Sequence, residues 1–302
     1  METKENLSPI EEIQGLKEAR KAIILAHNYQ LGEVQDIADF VGDSLALSQR
    51  AAKTDARAIV FCGVHFMAET AFILCPDKIV LLPDINAGCC MADMVTAEGL
   101  RGWKRKHPKA IVVCYINSSA EVKAESDICC TSANAVKVVE SLNAQEILFV
   151  PDQYLGHYIS TKTRKKITLW PGFCPTHASI FSQDIARLKQ EHPEAKVMVH
   201  PECHPKIIAL ADEALSTVRT CKYVNKTEAK EIMVKIIPML RKEKPGERFI
   251  PLAGQAICFS MKLITLEKVL QSLKEMSPEV KVPEEIRLRA KAAVDKMLEI
   301  GR

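Results

Sequence analysis

Three segments of the chain carry the same features in the same order, and this periodicity constrains the fold more than any single motif. His107-Pro-Lys-Ala-Ile-Val-Val-Cys-Tyr-Ile-Asn and His192-Pro-Glu-Ala-Lys-Val-Met-Val-His-Pro-Glu each close a basic stretch with His-Pro and enter an apolar run that ends in polar residues. Lys21-Ala-Ile-Ile-Leu-Ala-His-Asn-Tyr fills the same slot near the start. A second series is Lys78-Ile-Val-Leu-Leu-Pro-Asp, Lys166-Ile-Thr-Leu-Trp-Pro-Gly and Arg248-Phe-Ile-Pro-Leu-Ala-Gly, each followed soon by a cysteine. Those cysteines, Cys89, Cys174 and Cys258, are 85 and 84 residues apart, and the first-run ends His27, Tyr115 and His200 are 88 and 85 apart. A third series, Asp43-Ser44, Thr131-Ser132 and Ser216-Thr217, sets hydroxyls at expected helix starts, as N-caps are.

Repeats of this length are supersecondary units that bury their faces on one another. The apolar runs read as strands at Ala22 to Leu25, Ala58 to Phe61, Ile79 to Leu82, Ile111 to Cys114, Ile147 to Val150, Ile167 to Trp170, Val197 to Val199 and Phe249 to Leu252. Segments with apolar residues every three or four positions lie between them: Val34 to Lys53, Ala133 to Leu142 and Thr227 to Arg241. Strands alternating with helices make parallel sheets of βαβ units. The expected fold is therefore α/β, with three pseudo-symmetric three-layer αβα units whose short parallel sheets surround a central active site. The expected boundaries are 1–107, 108–193 and 194–302, the last including a C-terminal helix at about 283–300.

The 302 residues are 47% hydrophobic and 26% charged with a net charge of +3, which is a globular composition without a dominant nucleic-acid or membrane surface. The opening METKENLSP is too polar for a secretory signal and no apolar run would span a bilayer, so the expected location is cytoplasmic. An odd count of 11 cysteines without any C-x-x-C is poor material for a disulfide framework, a zinc ribbon or a ferredoxin motif. Taken singly, a free cysteine in such a chain is ordinarily core.

The shared slot of Cys89, Cys174 and Cys258 is what lifts these three above core. Ligands of open α/β sheets sit beyond the carboxyl ends of the strands, so three related units about an axis aim three such ends at one cavity. Three thiolates there suit a zinc ion with a further or open position, or a four-iron cluster with one iron free to act as a Lewis acid; spacing alone does not choose. Ser44, Ser132, Ser216 and Thr217 at helix starts suit carboxylate or phosphate, although each alone reads as a cap. His27, Tyr29, Tyr115, Asn117, His200, Glu202 and His177 are donors or acid/base candidates, although a lone strand-end His or Tyr is ordinarily structural. Neither G-x-G-x-x-G nor G-x-x-x-x-G-K-[ST] occurs, and Trp103-Lys-Arg-Lys-His107 reads as an exposed helix end. Cys129-Cys130 has no counterpart in the third unit and reads as core.

AHNYQ, EVQDIADFVGDSL, VFCGVHFMAETA, LLPDINAGC-x-MADM, CCTSANA, GFCPTH, HPEC and C-x-x-MKLITLEKVLQSL, in order from about residue 20 to 275, resemble quinolinate synthase, the A protein of bacterial and archaeal NAD biosynthesis. The resemblance implies condensation of iminoaspartate with dihydroxyacetone phosphate to quinolinate, losing phosphate and two waters. It implies a [4Fe–4S] cluster on Cys89, Cys174 and Cys258 with one open iron. It implies substrate contacts at His27, Ser44, Tyr115, Asn117, Ser132, His200, Glu202, Ser216 and Thr217, and acid/base work by Tyr29, His27, His177, His200 and Glu202. It also implies a transient contact with the aspartate-oxidising enzyme that supplies iminoaspartate, and neither nucleic acid nor membrane as partner. The rival readings are another [4Fe–4S]-dependent hydro-lyase acting on a small dicarboxylate, and a non-catalytic iron–sulfur sensor. Leu215 stands where the family commonly has glycine before Ser-Thr, and Cys90 where many relatives have serine. An additional C-x-x-C-x-x-C near the C-terminus of some larger relatives is absent.

Overall fold

Three four-stranded parallel sheets account for the repeat. The structure, a computed structural model, describes residues 7–235, 238–254 and 256–300; METKEN, and with it most of the polar start read above, lies outside them. The first sheet holds β1 (Ala22–His27), β2 (Phe40–Gly42), β3 (Ala58–Cys62) and β4 (Ile79–Leu81). The second holds β5 (Ile111–Tyr115), β6 (Ile128–Cys130), β7 (Glu146–Val150) and β8 (Lys166–Leu169). The third holds β9 (Lys196–Val199), β10 (Glu213–Ala214), β11 (Glu231–Val234) and β12 (Arg248–Pro251). Each places its first and third strands at the centre, in the orders β2-β1-β3-β4, β6-β5-β7-β8 and β10-β9-β11-β12. The α/β class and the three short parallel sheets are as the repeat predicts.

Register repeats as well. First and second strands pair fifteen residues apart at Leu25↔Phe40, Val113↔Ile128 and Met198↔Glu213. First and third strands pair thirty-six apart at Ala22↔Ala58, Ile111↔Ile147 and Lys196↔Ile232. An aspartate directly before each second strand sets this register. Asp39, Asp127 and Asp212 accept the N–H of Ile24, Val112 and Val197 on Oδ2 at 2.7, 2.8 and 2.8 Å. The N–H of each aspartate returns a bond to the carbonyl of the same residue, at 2.9, 3.1 and 2.9 Å. A side chain thus supplies the ladder bond that such short edge strands lack.

The chain forms two compact units. One takes the residues up to Gly88 together with Phe259–Val282. Its sheet is buried through Ile24, Leu25, Ile59, Val60 and Phe61. The helix Pro9–Arg20 packs on the helix Leu266–Glu275, and the N–H of Val280 extends the β4 edge by bonding the Val80 carbonyl at 2.8 Å. The other unit takes Cys89–Cys258 together with the chain from Pro283 on and contains the second and third sheets. Its C-terminal helix Glu284–Ile300 packs on the helix Ala120–Ala124 and on β6. Glu125, beneath it, receives Arg101 at 2.9 Å and Arg289 at 2.7 Å.

Two of the segments read above as helical are interrupted. Val34 to Lys53 spans the end of helix Gly32–Asp36, then β2, then helix Ser44–Lys53, because Asp39 turns the chain into the sheet and Asp43 caps a new helix. Thr227 to Arg241 contains β11 and a helix beginning at Pro238, while residues 236–237 within it lie outside the described residues. β11 is a central strand buried at Ile232, Met233 and Val234, so its apolar residues follow one another without alternation and period cannot tell it from buried helix.

Candidate active site

Ligands of open parallel sheets sit where the strand order reverses, in the crevice between the carboxyl ends of the two central strands. In the second sheet those ends are Tyr115, the last residue of β5, with Asn117 after it, and Asp152 after β7; in the third they are His200 and Glu202 after β9 and Lys235 after β11. Ser132 follows β6 and Ser216-Thr217 follow β10, the strands beside β5 and β9. All of these belong to the unit built on Cys89–Cys258.

Glu202 is the centre of this group. Tyr115 donates its O–H to Oε1 at 2.5 Å, and His177 Nδ1 lies 2.9 Å from Oε2. The His177 ring stacks on His200 with centroids 4.9 Å apart and planes 23° apart. The close His177 approach is poorly aligned, so neither ring nitrogen makes a well-directed hydrogen bond despite the ion-pair distance. The N–H of Glu202 donates to His200 Nδ1 at 3.3 Å, which puts the ring proton on Nε2, 3.1 Å from Ser132 Oγ. Burial pushes the Glu202 carboxyl up, but the adjoining His177 and His200 rings and the Tyr115 hydroxyl outweigh it and hold it well below the usual carboxylate range. Burial and Lys235 push His177 down against the pull of Glu202. His177 therefore takes up a proton less readily than a free imidazole.

The hydroxyls predicted at helix starts are not used as caps. Asn134 precedes the helix Ala135–Ser141, and Ser216 precedes Thr217–Lys226 without any side-chain cap bond. Among the described residues, Asn117 Oδ1, Asp152 Oδ2, both ring nitrogens of His177 and Ser216 Oγ are buried without a hydrogen-bond partner. A buried polar atom left unpaired costs about 1–3 kcal/mol, so their concentration at these strand ends marks a ligand site.

The three repeat-linked cysteines share an environment. Each is partly accessible, as is Cys221, whereas Cys62, Cys75, Cys114, Cys129, Cys130 and Cys203 are buried, and Cys90 is exposed. Each precedes a short helical turn: Cys89 before Ala92–Met94, Cys174 before Pro175–Ala178 and Cys258 before Ser260–Lys262. Burial and the charges of Cys258 and Glu202 push Cys89 up to about 12, against hydrogen bonds from the Ala92 and Met91 backbone. Burial, Glu202 and Cys89 raise Cys174 well above an ordinary thiol, against Lys235 and the His177 backbone. Thiols so raised become thiolates once a cation binds them, and N–H groups aimed at sulfur favour that state. This donor set fits a thiolate-bound metal centre. Cys174, His177 and Glu202 also bring one ligand atom each within 4.8 Å of one another.

In the other unit, His27 ends β1 and accepts the Tyr29 N–H on Nδ1 at 3.2 Å, repeating the His200–Glu202 arrangement. Its ring meets Tyr29 edge-on at 5.0 Å. Ser44 opens the helix Ser44–Lys53, whose cap is Asp43, with Oδ1 accepting the Ala46 N–H at 2.9 Å.

With that geometry in view, comparison with known proteins decides the family. The sequence profile described as Quinolinate synthetase A protein matches residues 11–299. The chain belongs to that family. A quinolinate synthase of Dehalococcoides mccartyi is 60% identical over 292 residues, covering 95% of this chain and 97% of the relative. One of Methanosarcina barkeri is 54% identical over 295 residues, covering 96% and 97%, and one of a Geobacter species gives the same figures. The family is one of enzymes, and among the described residues no helix is long and apolar enough to cross a membrane.

Asp152 and Lys235 escaped the sequence reading. Asp152 is fully buried, with Oδ1 accepting the N–H groups of Tyr154 and Leu155 at 2.8 Å each. Burial and Glu202 raise its carboxyl well above the usual range. Its signal, Pro-Asp directly after the apolar run Ile147 to Val150, was present. Lys235 had none, because β11 did not read as a strand.

Proposed function

We propose that this quinolinate synthase family member condenses iminoaspartate with dihydroxyacetone phosphate to quinolinate, releasing phosphate and two waters. The observation that carries the reading is the set of buried, unpartnered polar atoms on Asn117, Asp152, His177 and Ser216 at the strand ends beside Glu202. A [4Fe–4S] cluster held by Cys89, Cys174 and Cys258 would supply an open iron as Lewis acid for substrate oxygen. Glu202, ionised beside Tyr115 and His177, accepts a carbon-bound proton during enolisation and passes it on to His177, because its depressed carboxyl does not retain it. His177 takes that proton from Glu202 and, as imidazolium, delivers it to a departing hydroxyl. His200 Nε2–H, with Ser132, Asn117, Ser216 and Thr217, orients carboxylate oxygens. His27, Tyr29 and Ser44 are the corresponding substrate and proton-transfer groups contributed by the first repeat. The location consistent with this role is the cytoplasm, and iminoaspartate would arrive through transient contact with an aspartate-oxidising enzyme.

Protein purified and assayed without oxygen, given oxaloacetate, ammonia and dihydroxyacetone phosphate, is expected to form quinolinate. Iron-loaded protein that forms none would overturn the reading. Cys174→Ala is expected to lose iron and turnover together, and Glu202→Gln to keep iron and lose on the order of a hundredfold or more in kcat. A second reading, a single divalent cation on Cys174, His177 and Glu202, rests on their 4.8 Å clustering. Acid-labile sulfide equal to iron supports the cluster; metal without sulfide supports the single ion.

A further inference from the structure

The third sheet has two lips at its strand-order reversal, and the reading above uses only one. His200 and Glu202 follow β9. β11 lies beside β9 in parallel, with Met233 level with Val197, so Lys235 stands level with Val199, one residue short of His200. It is half-buried and directly follows the buried Val234. Its charge is felt by Cys174, His177 and Cys203. The other ionisable groups that act on one another here are the imidazoles of His177 and His200 and the acids Glu202, Asp152, Tyr115, Cys89, Cys174 and Cys203; Glu202 is held ionised, while burial raises the other acids. A dicarboxylate and a phosphate ester entering such a site would meet repulsion from the Glu202 carboxylate. A fixed cation at the carboxyl edge offsets it.

We propose that Lys235 is the phosphate-binding residue of this site, its ammonium holding the phosphate of the triose substrate and then the released inorganic phosphate. The proposal rests on the function given above. Phosphate is assigned to it because the dianion gains most from a compact point charge, while the monoanionic carboxylates are matched by neutral donors such as Ser132, Asn117 and His200. No covalent step is required of Lys235; it receives a charge that the bond cleavage leaves on phosphate.

The test compares wild type, Lys235→Met and Lys235→Arg, each checked for iron and sulfide content and for thermal unfolding. Lys235→Met is expected to raise KM for dihydroxyacetone phosphate and the inhibition constant of inorganic phosphate by on the order of ten- to a hundredfold, with Lys235→Arg restoring most of the loss. KM for iminoaspartate is expected to stay within about twofold. A rise in the iminoaspartate KM instead, or a fall in kcat alone, would overturn the assignment. Binding of inorganic phosphate, followed by phosphorus NMR line broadening, needs no turnover. Loss of that binding in Lys235→Met with recovery in Lys235→Arg supports Lys235 even if wild type makes no quinolinate, whereas equal binding by all three proteins refutes it.

Discussion

Glu202 illustrates how single positions here are set by partners distant in the chain. Its carboxylate meets Tyr115 from β5 and His177 from the turn after Cys174, and its backbone bonds His200 two residues earlier. Asp152 serves two ends at once. Oδ1 caps the helix Gln153–Ser160 while Oδ2 stays unpartnered. Asp152→Ala is therefore expected to cost about 1–2 kcal/mol in urea unfolding, and Asp152→Asn, which keeps an acceptor, less than half of that. Cys89 and Cys90 separate in the same way. Cys89 receives backbone N–H groups and feels Cys258, whereas Cys90 is exposed and its counterparts are Pro175 and Phe259. On the proposed ligand set, Cys90→Ser leaves the iron content of anaerobically purified protein unchanged and Cys89→Ser lowers it.

Among the elements, the short second strands of each sheet depend on their aspartates. Asp127→Ala would leave the buried Val112 N–H without its 2.8 Å acceptor and is expected to cost about 1–3 kcal/mol in chemical denaturation, with Asp127→Asn milder. The C-terminal helix is tied through Glu125, which burial raises but Arg289 and Arg101 hold below the usual range. A carboxyl depressed in the folded state contributes stability above its unfolded pKa of about 4.3 and loses it as pH falls through the folded value. Both arginines are half-exposed, so the contribution is about 1 kcal/mol or less for each. The melting temperature of Glu125→Gln should fall below wild type at pH 7, and the gap should close as pH drops below about 4. At this scale the eight runs read as strands are all strands, but β2, β6, β10 and β11 were not read. Three of them span two or three residues and carry no period, and the fourth is buried along its length.

At the scale of the whole molecule, Cys89 opens and Cys258 closes the stretch of chain that builds the second compact unit. A metal centre bound to both would bind only the folded state and so stabilise it over the unfolded chain. Removing the metal with a chelator under reducing conditions is expected to lower the thermal midpoint, and Cys258→Ser to abolish the difference between loaded and stripped protein. The repeat, the α/β class and the slot shared by Cys89, Cys174 and Cys258 were readable in order and spacing, because each unit restates the same strand–turn–helix grammar along the chain. Tyr115, Asn117, His200 and Glu202 were readable as strand ends for the same reason. That Ser216 is not consumed as a cap, that Asp152 feels the charge of Glu202, and that Lys235 stands level with Val199 were decided only by tertiary structure. Those relations join residues from different strands, and parallel register is set by packing and by side chains such as Asp212 reaching across to a neighbouring strand, which no local pattern records.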